Sequence, residues 1–161
     1  MILKVIYIFF IGILLATFVG VGIAAFYTGP KFPDQPALLK YCAPEIAQSA
    51  SKYAEFKKDA QAYDFKVQQY QLESQVYNRN VSIVSLIAAI IIVILSLTFF
   101  KKILVIADGL LLGGVVTLLY SIIRGFQSED NMFRFFVVTV GLVVSIWLGY
   151  IKFISKQKAK K

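Results

Sequence analysis

Residues Val81–Phe100 read VSIVSLIAAIIIVILSLTFF; Lys101 and Lys102 follow, and Ile103–Ile123 then reads ILVIADGLLLGGVVTLLYSII. The first stretch carries no charge and the second only Asp108. A hydrocarbon layer of about 30 Å takes roughly 20 helical residues to cross, and each stretch has that length. Lipid offers no partner to a bare N–H or C=O, so a stretch that crosses it must be helical. With only two lysines between them, the pair predicts a helical hairpin with Lys101–Lys102 at its tip.

The same reading extends outward to Val5–Tyr27 and Phe135–Ile151, which are also without charge. The expected fold is therefore all-α: an integral membrane protein with transmembrane helices at 5–27, 81–100, 103–123 and 135–151. Composition agrees, with 58% apolar and 16% charged residues and a mean hydropathy of +0.72. A soluble domain carries about 45–50% and about 25%. Lys4 ahead of Val5–Tyr27 imitates a signal peptide. The apolar run exceeds the usual 7–15 residues, however, and Ala24–Ala25 sits between Ile23 and Phe26, a poor cleavage site. An uncleaved first helix is expected.

The chain has no His and one Cys, Cys42. Imidazole metal sites, Ser-His-Asp and Cys-His catalysis, multi-cysteine zinc sites and an internal disulfide framework are thereby excluded. No paired acid and base and no activated nucleophile stand out. The expectation is a protein that is not an enzyme, with no catalytic residues, no cofactor and no metal.

Between the first two apolar stretches lies the one sizeable polar region. Its first part, residues 28–50, opens Thr28-Gly29-Pro30-Lys31-Phe32-Pro33-Asp34-Gln35-Pro36. Prolines every third residue fall on one ridge of a polyproline II helix. That ridge suits either a ligand for an aromatic groove or a stiff strut ending the first helix; the strut is favoured.

Residues 51–80 carry a sharper pattern. Tyr53, Phe56, Ala60, Tyr63, Val67, Tyr70, Ser74, Tyr77 and Val81 alternate spacings of three and four, a heptad series. One class is wholly aromatic: Phe56, Tyr63, Tyr70 and Tyr77. The other is mostly small or β-branched, so rings and short side chains can interleave. No Gly or Pro occurs between Asp59 and Phe100, so this extramembrane helix is expected to continue into the second span. Two partners suit the aromatic stripe: residues 36–50 of the same chain, with Ala37, Leu38, Leu39, Tyr41 and Ile46, or a coiled coil with a second copy or another membrane protein. Gln61, Gln68, Gln69, Gln71 and Gln75 mark the remaining surface as solvated.

Within lipid, helices associate through small residues that let backbones approach. Gly12, Ala16, Gly20 and Ala24 recur every four residues in the first span. Gly109, Gly113, Thr117 and Ser121 do so in the third, and Gly141, Ser145 and Gly149 in the fourth. These rows predict a compact bundle or an oligomer. The third and fourth spans, joined by Gly125–Met132, are the expected antiparallel pair. Asp108 is the one ionisable group inside a span and hence the candidate ion or proton contact. Its place soon after Lys102, near the positive end of its helix, favours a structural role.

The formal net charge is +8. With both termini in the cytoplasm, that side holds eight basic residues and one acid, Asp108, and the other side nine basic and eight acidic. The lysine-bearing tight turn and tail support this orientation, while a free Cys42 outside weighs against it. In the tail, residues 152–161, Lys156, Lys158, Lys160 and Lys161 suit anionic lipid headgroups. The tail is too short for nucleic acid and no binding fold accompanies it, so no nucleic-acid partner is expected. The sequon Asn80-Val81-Ser82 abuts the bilayer and is a poor glycosylation acceptor.

Phe18–Tyr27 (FVGVGIAAFY) with the prolines beyond it, and Asp108–Phe135 (DGLLLGGVVTLLYSIIRGFQSEDNMFRF), resemble small, uncharacterised multi-span, four-helix membrane proteins of bacteria. That resemblance implies a multi-pass protein of the bacterial cytoplasmic membrane and brings no activity or functional residue with it. The leading functional expectation is a structural, accessory or interaction component using its extramembrane helix. The other is a small transporter or channel subunit contacting ions or protons through Asp108.

Overall fold

The computed structural model describes residues 2–36, 50–98 and 103–151. These form four helices, α1 (Ile2–Phe26), α2 (Ala50–Thr98), α3 (Leu104–Phe126) and α4 (Asn131–Gly149), and no strand. Each contains a stretch long and apolar enough to cross a membrane. Apart from the polar part of α2, the helices depart from the charge-free stretches by a few residues, most at the start of α4.

The charge-free run begins at Phe135, and the helix that carries it begins four residues earlier, at Asn131. The cause is local. Asp130 has extended backbone, and its side chain accepts hydrogen bonds from Met132 N at 2.9 Å and Phe133 N at 3.3 Å. Two N–H groups that a helix start leaves without partners are thus satisfied. Arg134 turns back and donates from Nε to the Ser128 carbonyl at 2.6 Å, so its charge is absorbed by the turn. The α3–α4 connection shrinks to residues 127–130.

The chain divides into two compact units, Met1–Thr28 with Asn78–Lys161, and Gly29–Tyr77. The boundary falls inside α2.

In the first unit α3 is the element the others pack against. None of the described glycines has a positive φ, so on α3 they serve close approach. A Cβ on Gly109 would stand 2.9 Å from Ile11 Cβ of α1, and one on Gly113 3.1 Å from the Gly12 carbonyl oxygen. On another side of α3, a Cβ on Gly114 would meet Val93 Cγ2 of α2 at 2.8 Å. Toward α4, Leu118 and Ile122 lie against Gly141. Leu86, Ala89 and Leu118 form one buried cluster, with Ile90, Ile122, Val140 and Val144 packed on it, and Val81, Val93 and Val137 are buried as well. Most other large apolar side chains face outward; on α1 only Gly12 is buried.

In the second unit the segment after Thr28 carries no helix or strand through Pro36. Pro30, Pro33 and Pro36 are half-buried while Lys31, Phe32, Asp34 and Gln35 are exposed. Burial therefore repeats every third residue, as a proline ridge requires. A Cβ on Gly29 would lie 3.1 Å from the Tyr77 ring, and the Phe32 ring meets Tyr70 edge-on with centroids 5.1 Å apart. The segment thus runs antiparallel to α2. Three residues at about 3.1 Å against seven at about 1.5 Å give nearly equal lengths, so proline turn and helical heptad keep step.

Candidate functional site

Three places in the fold gather the residues that chemistry or recognition would use. The first is the α2–α3 seam. Ser82, Ser85, Ser96, Thr117 and Ser121 are all essentially inaccessible. Ser82 Oγ donates to the Ser121 carbonyl at 2.8 Å, and Ser121 Oγ donates to the Ser82 carbonyl at 2.7 Å. Toward the other end of the seam, Ser96 Oγ donates to the Ala107 carbonyl at 2.6 Å. Ser85 and Thr117 return their hydroxyls to their own helices, at Val81 O and Gly113 O. Among the described residues no buried side-chain nitrogen or oxygen lacks a hydrogen-bond partner. The hydroxyls of Ser82, Ser96 and Ser121 thus tie α2 to α3, and those of Ser85 and Thr117 are taken up within their own helices.

Ser85 and Ser96 were not singled out from the sequence, and Ser82 only as part of the sequon. A signal existed, since Ser82, Ser85, Ala89 and Ser96 fall on one helical face. Hydroxyls within an apolar run nevertheless look like ordinary span composition.

The small-residue rows are only partly drawn into contact. Gly12, Gly109, Gly113 and Gly141 are buried against neighbouring helices. Ala16 is half-buried. Ser145 donates to the Gly141 carbonyl of its own helix at 2.8 Å, and a Cβ on Gly20 or Gly149 would meet nothing within 4 Å. The reason is the pitch. A step of four residues overshoots a turn by about 40°, so a row winds off any one partner. On α3 the row leaves α1 at Gly113 and arrives at α2 with Ser121.

The second place is the aromatic stripe. Phe56, Tyr63, Tyr70 and Tyr77 are half-buried, as are Ala60, Val67 and Ser74, while Tyr53 is exposed. At Tyr70 and Tyr77 the neighbour is the chain's own segment 29–36. The intramolecular partner expected from the sequence, residues 36–50 with Ala37, Leu38, Leu39, Tyr41 and Ile46, falls at 37–49 outside the described residues, as does Cys42.

The third place is the polar end of the first unit. Arg124 donates from Nη1 to Asn78 Oδ1 at 2.8 Å and from Nε to the Tyr120 hydroxyl at 3.1 Å, its guanidinium carbon 5.4 Å from the Tyr120 ring centre. Asn80 Nδ2 donates to the Tyr27 hydroxyl at 2.9 Å. The Asn80 of the sequon is thus engaged, and Ser82 is buried.

Asp108 is half-buried in the second turn of α3, beside Gly109. Lys101, Lys102 and the tail lysines Lys156, Lys158, Lys160 and Lys161 lie outside the described residues. Among the described residues no group of three or more Cys, Asp or Glu gathers as a metal ion would need.

No protein-family model matches the chain, and no curated protein and no solved structure matches it either. The two stretches that resemble small bacterial multi-span proteins therefore carry no family assignment.

Proposed function

We propose that the chain is a multi-pass integral membrane protein of the bacterial cytoplasmic membrane, both termini in the cytoplasm, working without catalysis as a structural or accessory component. It meets its partners through the part of α2 that lies outside the membrane. The observation that carries this reading is the unit Gly29–Tyr77. It is a folded polar module, with its own segment seated on its aromatic stripe, placed in sequence between two apolar helical stretches. Such a module spends protein on a surface held at the membrane. Anionic headgroups at the lysine tail would add anchorage of about 1 kcal/mol per lysine near the surface.

Orientation is tested with Lys57→Cys and Lys156→Cys in a Cys42→Ser background. In intact cells a membrane-impermeant maleimide should label residue 57 and reach residue 156 only after permeabilisation. The opposite pattern would invert the proposed topology.

A second reading, a small transporter or channel subunit, is favoured by the half-buried position of Asp108, next in sequence to Gly109, which meets Ile11 of α1. It predicts proton or cation flux in proteoliposomes that Asp108→Asn abolishes. The satisfied hydroxyls of the α2–α3 seam weigh against it.

A further inference from the structure

α2 carries a second series that the aromatic stripe conceals. Ala62, Phe65, Gln69, Leu72 and Val76 are spaced three, four, three and four, and every one is exposed. Phe65 is 67% exposed and Leu72 63%. This series lies two residues from the aromatic one, and two residues turn a helix by about 200°. The two series therefore occupy opposite faces of α2. Segment 29–36 sits on the first; the second has large apolar side chains in the open.

Hydrocarbon does not suit this face. Lys66, Gln68, Glu73 and Gln75 flank it on both sides, and Lys58 and Arg79 occupy the next positions of the series beyond its two ends. Its chemistry fits a helix like itself. In heptad terms Phe65 and Leu72 take the d positions, and Ala62, Gln69 and Val76 the a positions. Val76 at a beside Leu72 at d is the pairing that favours two parallel strands, Ala62 and Phe65 set a small residue beside a large one in the other heptad, and the polar a residue Gln69 favours one register. In that arrangement the flanking pairs between copies are Gln61 with Lys66 and Gln68 with Glu73, so no like charges oppose.

Two heptads are short for a coiled coil in solution. Copies inserted in one membrane already share direction and plane, which raises their effective concentration and removes the antiparallel alternative. From this we infer that Ala62, Phe65, Gln69, Leu72 and Val76 form the docking face for a second copy of this chain, in a parallel two-stranded pair. The like charges of Arg79 end the seam on the membrane-proximal side. This rests on the membrane reading above and names its partner.

The test uses the purified full-length chain in liposomes, with Cys42→Ser. Gln69→Cys and Leu72→Cys, at facing positions, should form symmetric disulfides under mild oxidation, whereas Gln71→Cys, off the seam, should yield at least tenfold less. Adding Leu72→Lys with Val76→Lys should abolish the Gln69→Cys product; both are exposed, so folding is spared. Equal yields at 69, 71 and 72, or a cross-link confined to Val67→Cys on the aromatic face, would overturn the inference. An inserted chain without the seam-specific product overturns the inference alone. A chain that alkaline carbonate extracts from liposomes overturns the membrane reading and the inference with it.

Discussion

Ser82 and Ser121 each give a hydroxyl to the carbonyl of the other's helix, and either bond survives loss of the other. Hydrogen bonds between helices in lipid average about 0.6 kcal/mol. Ser82→Ala alone should therefore cost little, and with Ser121→Ala roughly 1–2 kcal/mol, measured by unfolding in mixed micelles. Gly113 is a stricter position, because a Cβ there meets the backbone oxygen of Gly12 at 3.1 Å. Gly113→Leu should destabilise by about 1–3 kcal/mol, whereas Gly20→Leu, facing open space, should stay within about 0.5 kcal/mol. Both glycines stand in four-residue rows, so composition and spacing alone rank them equally. What separates them is how far each row has wound when its neighbour ends, and that is a property of the assembled bundle.

At the scale of elements, the apolar runs located all four helices, since length and charge decide whether a run can span. The charge-free run at 135–151 does not show where its helix begins; the cap at Asp130 and the Arg134–Ser128 bond start the helix four residues earlier, at Asn131. Asp130→Ala should fray that first turn and cost about 0.5–2 kcal/mol, visible as faster amide exchange at Met132 and Phe133. The aromatic stripe of α2 was legible as a stripe; its neighbour was not, because heptad spacing states that a face is covered without stating by what. The proline segment supplies the cover at Tyr70 and Tyr77. A double-mutant cycle on Phe32→Ala and Tyr70→Ala should return a coupling of about 0.5–1.5 kcal/mol. A coupling near zero would mean that the edge-on contact adds nothing beyond burial.

For the molecule as a whole, the decisive fact is that the close contacts of α1, α2 and α4 converge on α3. A chain ending at residue 102 would leave Ser82 and Ser96 without their α3 carbonyls and α1 without the glycines at 109 and 113. Such a chain should accumulate several-fold less in the membrane, and co-expressed residues 103–161 should restore it, read by immunoblot of the membrane fraction. The location of α3 in sequence also sets a timetable. Helices leave the ribosome in order, so on the membrane reading α1 and α2 would be inserted before the helix they pack against exists. Through that interval their seryl hydroxyls and bare glycine faces are what a membrane protease or an insertion chaperone would meet. If the chain inserts as proposed, completion of residues 104–126 is therefore the step after which a membrane protease should no longer clear it, an outcome read by pulse-chase of chains arrested before and after α3.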